Sequence, residues 1–388
     1  MSAVAVSSVE GRATRGGPLR LALVCWSGNV GGAEVFSADL AVALREQGAE
    51  PGVVVVGADG PISDRLDATS VPRVTLGLAR GSRVLVHPRR LARAVTDAGR
   101  DGAILQSDGY LAAALRAGGY RGRIVAVQHG AVLLRSWLPA WRRVLREVDQ
   151  LSGVPALDAL VVVSDSARLT ASRHPHPRRM LTIHNGVDLE RFRTRPAEAQ
   201  GGGLVVGFAG RLIEGKGTEV LLHALARIRD DSLRAEIAGE GPARDALESL
   251  ANRLGIAPRV NFRGPVNDMA AFWQTCDLAV VPSHPPHVES FGIVAIEAMA
   301  SGLPVVATAN GALPELVTHG RSGTIVPEGD PDALAAALDT YAAHPYLRVE
   351  EGRQGRADCE RWFGIGRCAQ AYLELFESLG TGEEPTAA

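Results

Sequence analysis

Lysine is almost missing from this chain. Lys216 is the only one among 41 basic residues, and every other is an arginine. Surplus charge is missing too: a formal net charge of −2 over 388 residues leaves no electrostatic footprint for nucleic acid. The four cysteines, Cys25, Cys276, Cys359 and Cys368, include no Cys-x-x-Cys pair. That spacing fits a reducing compartment and offers neither a disulfide framework nor a cysteine metal site. No apolar run approaches the roughly 18 residues that a membrane span requires. The first 18 residues have no continuous apolar core, so no signal peptide is expected. A cytoplasmic protein is the expectation these absences give together.

A hydrophobic content of 46% and a charged content of 22% are those of a globular protein, and the length suffices for two full cores. Short apolar runs alternate with helical stretches from end to end. Leu19 to Trp26, Gly52 to Val56, Ala103 to Gln106, Ile124 to Gln128 and Leu160 to Val163 read as buried parallel strands. Leu204 to Phe208, Leu233 to Ala238, Val260 to Phe262, Leu278 to Val281, Pro304 to Thr308 and Gly323 to Val326 repeat the pattern. Helices are predicted between them, among them Ala33 to Gln47, Pro242 to Leu254 and Pro331 to Ala343. The alternation predicts an α/β protein with doubly wound parallel sheets.

The polar, glycine-rich stretch Thr194 to Gly203 is the sharpest break in composition and marks a domain boundary. The expected division is a disordered tail over residues 1–18, a first domain over 19–195, a second over 196–350, and C-terminal helices over 351–379. The last of these helices is expected to pack back on the first domain. Two doubly wound domains would hold ligands in the crevice between their strand ends.

The most informative segment runs from Glu289 to Ala307. Phe291 to Ser301 suits a short buried helix, Gly302 and Pro304 stop it, and Val305-Val306-Ala307 enters a strand. Glu289 falls in the loop before the helix and Glu297 almost two turns inside it. The backbone N–H groups of such a helix start attract an anion, and the flanking carboxylates can accept hydrogen bonds from hydroxyls. A phosphate beside hydroxyls describes a nucleotide-sugar. An N-cap carboxylate followed by a solvated helix face is the plainer alternative. The second informative segment is Gly210-Arg211-Leu212-Ile213-Glu214-Gly215-Lys216-Gly217, a strand-to-helix turn with two cations. Arg211 as a fork and Lys216 as a point charge suit a diphosphate; two solvated cations at a helix start suit the same residues.

Together these segments resemble the retaining glycosyltransferases of family 4, over about residues 20 to 375. The resemblance rests on Glu289-Ser290-Phe291-Gly292 with Glu297 eight residues on, on Gly210-Arg211 with Lys216-Gly217, and on Asn185-Gly186-Val187-Asp188. Gly239-Glu240-Gly241-Pro242 and Gly31-Gly32-Ala33-Glu34 complete it. It implies the GT-B fold, two Rossmann-like domains facing a central cleft. It implies that Arg211 and Lys216 neutralise the diphosphate leaving group and that Glu297 holds the ribose hydroxyls. Glu289, with backbone amides of Ser290, Phe291, Gly292 and Ile293, would hold the transferred sugar. Gly31 and Gly32 would let the backbone approach the phosphate, although a tight turn alone explains them. His129, at a strand end, would face the sugar, and a plain loop histidine fits equally. Gly210 and Arg263 join the implied donor-binding set.

The implied reaction is transfer of a hexose or N-acetylhexosamine from a nucleotide-sugar, with UDP the expected nucleotide, to an acceptor hydroxyl with retention. The implied setting is glycoconjugate, polysaccharide or glycosylated natural-product biosynthesis. No cofactor and no metal are implied, since protein cations take the metal's place. A nucleotide-sugar epimerase of the same fold and a non-catalytic nucleotide-sugar sensor are the alternatives. Two departures from the family pattern matter. The loop Pro282 to Val288, with His284 and His287, is longer than usual and should border the sugar. Its two prolines fix no geometry for a metal site with Glu289. The other departure is Ala312, where the family often has a second glycine. The stripe Trp137, Trp141, Val144, Leu145 and Val148 is read as a core-facing helix, with peripheral membrane contact the less favoured alternative. The arginine-rich stretch Arg80 to Arg93 is read as a solvated face, with an acidic acceptor as its alternative.

Overall fold

The computed structural model describes residues 17–26, 32–60, 63, 66–78, 87–106, 110–129, 153–172, 176–177, 179–194 and 203–381. Gly31, the stripe from Trp137 to Val148, residues 79–86 of the arginine-rich stretch and most of the boundary segment therefore lie outside the described residues.

Val, Ile, Leu and Ala runs that are apolar on both faces can be satisfied only by helices on both sides of a parallel sheet. Two such sheets form. The first is built from β1 (Arg20–Cys25), β2 (Glu50–Val55), β3 (Arg73–Thr75), β4 (Gly102–Leu105), β5 (Arg123–Gln128), β6 (Ala159–Val162) and β7 (Met180–Thr182). Its order is β3-β2-β1-β4-β5-β6-β7, and Leu23 of β1 pairs with Val53 on one side and Ile104 on the other. The second comprises β8 (Val205–Ala209), β9 (Arg234–Ala238), β10 (Val260–Gly264), β11 (Leu278–Val281), β12 (Val305–Thr308) and β13 (Gly323–Val326), in the order β10-β9-β8-β11-β12-β13. All pairings in both sheets are parallel. These are the two Rossmann-like domains of the GT-B arrangement, and the order in which strands are added reverses once in each sheet, between β1 and β4 and between β8 and β11. A topological switch of that kind opens a crevice at the strand C-termini.

The first sheet carries α1 (Gly32–Glu46), α2 (Pro88–Ala98), α3 (Tyr110–Ala117) and α4 (Asp165–Ala171). The second carries α5 (Thr218–Arg227), α6 (Arg244–Arg253), α7 (Met269–Gln274), α8 (Ile293–Ala300), α9 (Leu313–Leu316) and α10 (Pro331–Ala343). Caps fix several starts. The Asp330 carboxylate accepts from the backbone N–H groups of Asp332 and Ala333 ahead of α10, with Pro331 in the first turn. The predicted helix over Pro331 to Ala343 coincides with α10, and the predicted strand Leu278 to Val281 with β11. The sequence reading passed over β3 and β7, each three residues long and at a sheet edge.

The chain ends in α11 (Pro345–Asp358), a π-helical turn over Cys359–Phe363, and α12 (Ile365–Thr381). This last helix packs on the first domain: a Cβ at Gly102 of β4 would lie 2.2 Å from the Phe376 ring, and Gln47 donates to the Gly366 carbonyl. Its Tyr372 and Phe376 join one buried cluster with Leu23 of β1 and Ile296 of α8, so the apolar interior runs through both domains. The chain crosses between them twice, side by side. Val187 N–H donates to Phe363 O at 2.7 Å and Ile365 N–H to Val187 O at 2.9 Å. Arg356 fastens the crossing by donating from one Nη1 to the carbonyls of Leu189, Phe192 and Ala300. Among the described residues, no helix is long and apolar enough to cross a membrane.

Candidate active site

The second switch point puts two segments of distant sequence side by side. From the end of β8 the chain makes the turn Gly210 to Gly217 into α5, and from the end of β11 it makes the loop Pro282 to Gly292 into α8. Their contact is too close for side chains at two positions. Gly215 and Gly217 have φ of 82° and 75°, and an added Cβ would lie 2.7 Å from His287 Cβ and 1.9 Å from Pro282 O respectively. Such close approach carries the Lys216 ammonium to the base of the second loop.

There, one carboxylate oxygen gathers several donors. Glu289 Oε1 lies 2.7 Å from Lys216 Nζ and accepts the Ser283 hydroxyl at 2.7 Å. His287 Nε2 is 3.5 Å from the same oxygen. The main chain of Glu289 is fixed at both ends, its N–H donating to Asn310 Oδ1 at 2.7 Å and its carbonyl accepting from Ala312 N–H at 2.8 Å. Glu289 is only 6% exposed. Burial pushes its pKa up, but the neighbouring His287 and Lys216 outweigh this and hold it at about 2. A buried, oriented carboxylate anion results. Arg211 stands on the same turn, exposed, with no ion pair among the described residues.

The loop then enters α8, capped by Gly292 with φ 98° and no side-chain acceptor, so the first N–H groups of the helix are left to other partners. Ser290 and Phe291 are buried; the Ser290 carbonyl accepts from Ser164 Oγ at 2.6 Å, and the Phe291 ring packs against His184 and Phe363. Glu297, 7% exposed inside the apolar helix, receives Trp273 Nε1–H on Oε2 at 3.5 Å. Trp273 was not singled out in the sequence; its 24-residue separation from Glu297 hid the contact.

The first domain closes the cleft from the other side. A Cβ at Gly32, the start of α1, would meet Ile293 Cδ1 at 3.5 Å, so the two helix starts face each other. His129 lies at the end of β5 with its ring edge against Phe36 and Nε2 on the Gln106 side-chain carbonyl. Burial drives its pKa down to about 4, so the ring is neutral at physiological pH. Gln106 is itself buried at the end of β4, and nothing in the sequence pairs it with His129 until β4 and β5 are neighbours. Glu315, a turn beyond Ala312, reaches across to the first domain and accepts the backbone N–H groups of Asp165 and Ser166 at 2.9 and 2.7 Å. Ala312 is fully buried and helix-compatible, so the missing glycine leaves this segment intact.

Lys216 and Glu289 thus meet just ahead of Ser290, Phe291, Gly292 and Ile293 at the start of α8, with Gly210 and Arg211 on the same turn as Lys216. Arg263 does not join it: it sits on the edge strand β10 and pairs with Glu236 of β9. His284 turns outward from the cluster, with Nε2 on Glu219 Oε1 of α5 at 2.5 Å. No cluster of three potential metal ligands occurs among the described residues.

Two family profiles match the chain, one described as Glycosyltransferase Family 4 over residues 30–191 and one as Glycosyl transferases group 1 over residues 203–344. D-inositol 3-phosphate glycosyltransferase of Streptomyces scabiei is 35% identical over 256 residues, 60% of this chain and 56% of that protein. The protein of the same name from Mycobacterium marinum is 39% identical over 233 residues, 54% of this chain and 47% of its own length. The matched region therefore spans about half the length of these curated relatives. Among solved structures, HepE of Anabaena in complex with UDP and glucose superposes with a TM-score of 0.77 at 22% identity, covering 93% of this chain and 100% of that one, a likeness of fold. With both halves matched in order and both sheets wound as the family requires, the chain belongs to the group 1 glycosyltransferases of family 4.

Proposed function

We propose that the chain is a retaining glycosyltransferase that moves a hexose or N-acetylhexosamine from a UDP-sugar to an acceptor hydroxyl without a metal. The observation that carries this reading is the convergence at the β8/β11 switch point: an ammonium, a buried carboxylate and an uncapped helix start, with the exposed Arg211 guanidinium on the same turn as the ammonium. A diphosphate seated there meets the α8 amides, Arg211 and Lys216. Glu289 offers Oε2 to a sugar hydroxyl, and Glu297, just over one turn inside α8 because that helix begins at Ile293 and not at Phe291, serves the ribose. His129, neutral, faces the sugar from the first domain, and Gly32 leaves room for the phosphate on that side. The domain limits we adopt are 19–195 and 196–350, with C-terminal helices over 351–379, the last of which returns to the first domain.

Bond cleavage at the anomeric carbon places negative charge on the departing diphosphate. N–H dipoles and cations gathered on the diphosphate, Lys216 among them once it has left Glu289, stabilise that charge as it develops. The departing phosphate takes the acceptor's proton in this reading, so no separate base is needed. The relatives are named for D-inositol 3-phosphate, and HepE was solved with UDP and glucose; these support trying phosphorylated polyols and UDP-glucose first.

The test is a UDP-sugar panel crossed with hydroxyl acceptors in excess EDTA, read by UDP release and by the anomeric configuration of the product. UDP release that requires acceptor, with retained configuration, supports the proposal. An isomerised donor without acceptor points to an epimerase, and binding without reaction to a sensor. Turnover that EDTA abolishes and magnesium or manganese restores refutes the metal-free mechanism.

A further inference from the structure

The loop Pro282 to Val288 brings a second basic group to Glu289. His287 Nε2 is buried, has no close hydrogen-bond partner among the described residues, and stands 3.5 Å from the Glu289 oxygen that Lys216 occupies. Hydrogen bonds fix the main chain of the loop at this residue. His287 N–H donates to His284 O at 3.0 Å, its carbonyl accepts from Asn310 Nδ2 at 3.1 Å, and His284 N–H donates to Gly215 O at 2.8 Å. The remaining charged and titratable groups around it are Lys216 on the facing turn, His284 with its partner Glu219 on α5, and Glu328, held behind Asn310 by a 2.6 Å hydrogen bond. The two carboxylates Glu219 and Glu328 are engaged elsewhere, which leaves Glu289 as the anion that His287 faces.

Lys216 has conflicting partners. In the structure its ammonium pairs with Glu289; in the proposed function it moves to the diphosphate. That move would leave a buried carboxylate with only the Ser283 hydroxyl, and an uncompensated buried charge is strongly unfavourable. Resting on the donor-site reading above, we propose that His287 is a positioning residue that takes over from Lys216 as the counter-charge of Glu289 when a nucleoside diphosphate binds. The proton comes from solvent and lodges on the imidazole. No other side chain in contact with Glu289 can gain positive charge near neutrality, since Ser283 is neutral and Lys216 is already charged. The hand-over keeps the sugar-facing carboxylate ionised and in place while the only lysine attends to the leaving group.

The experiment is calorimetric titration of the full chain with UDP at about pH 8, where a terminal phosphate is already fully ionised, in buffers of different ionisation enthalpy. We expect net uptake of up to about one proton per UDP bound, and an affinity that falls by as much as about tenfold per pH unit on the alkaline side. His287→Gln should bind UDP with no proton exchange, whereas His284→Gln should retain the uptake. Should His287→Gln fail to fold, the wild-type His287 ring signal followed by NMR decides, since it must move to its charged position on UDP addition. UDP binding without proton uptake, uptake that persists in His287→Gln, or a ring signal that stays neutral overturns the hand-over alone. Absence of UDP binding to the wild type overturns both the hand-over and the donor-site reading.

Discussion

Lys216 Nζ and Glu289 Oε1 lie 2.7 Å apart although their residues are 73 positions apart in the chain. The pair welds the turn after β8 to the loop after β11, across the switch point where the strand order of the second sheet reverses. Charge on each member is held by the other, and both belong to the surface proposed for the donor.

The pair makes acid stability depend on Glu289. Its folded pKa, about 2, is below the ordinary value of 4.5, so the stabilisation is complete above about pH 4.5 and is lost as pH falls towards 2. The shift corresponds to roughly 3 kcal/mol. Glu289→Gln should therefore show a flatter decline of stability across that window, measured by denaturant unfolding at stepped pH. Parallel declines in the two proteins would show that the carboxylate is not so held.

Glu297→Ala should weaken UDP binding by on the order of 1.5–3 kcal/mol through lost ribose contacts. Calorimetry on the folded variant checks it, and unchanged affinity would remove Glu297 from the nucleotide site. Trp273, fully buried, loses the acceptor of its indole N–H in the same substitution, so unfolding of the variant is measured alongside.

His129 should remain neutral throughout the physiological range, with its ring signals in NMR titrating only near pH 4, because burial disfavours the cation. Its folded pKa is depressed below the unfolded value of 6.5. Stability from this site is therefore present above about pH 6.5 and is lost as pH falls through 4. A His129 ring that titrates near 6.5 in the native protein would contradict its burial against Phe36 and Gln106.

Glu315→Ala should release the backbone N–H groups of Asp165 and Ser166, which cross from the first domain to its carboxylate. Hydrogen exchange at those two amides should accelerate markedly, with a stability loss of about 1–3 kcal/mol. Unchanged protection would mean that the domains do not hold this contact in solution.

Much of the fold could be read from periodicity because buried parallel strands are continuous apolar runs: Leu278 to Val281 is bounded by Asp277 and Pro282, and α10 by an Asp330 cap and its proline. The edge strands β3 and β7 escaped because Arg73–Thr75 and Met180–Thr182 contain no fully buried residue and too few positions to show a pattern. Of the site, local sequence revealed Glu289, Glu297, Arg211 and Lys216, each beside a recognisable turn. It assigned Lys216 to a diphosphate alone and gave no hint of Glu289 as its partner, since that contact exists only once β8 and β11 are adjacent. Gln106 beside His129 and Glu315 beside Asp165 were hidden for the same reason: each joins segments that only the sheet order or the domain packing brings together.

The most direct test of the account is the turnover of Lys216 variants on a UDP-sugar with an accepted hydroxyl substrate, free of interference from any second lysine. Lys216→Met should lose about 10²–10³ in rate, since its interaction grows as the leaving group gains charge. Lys216→Arg should recover only part of that rate, because a planar fork does not replace a compact ammonium between two glycines. A folded Lys216→Met protein that turns over at the wild-type rate would contradict the central claim that this lysine serves the departing diphosphate.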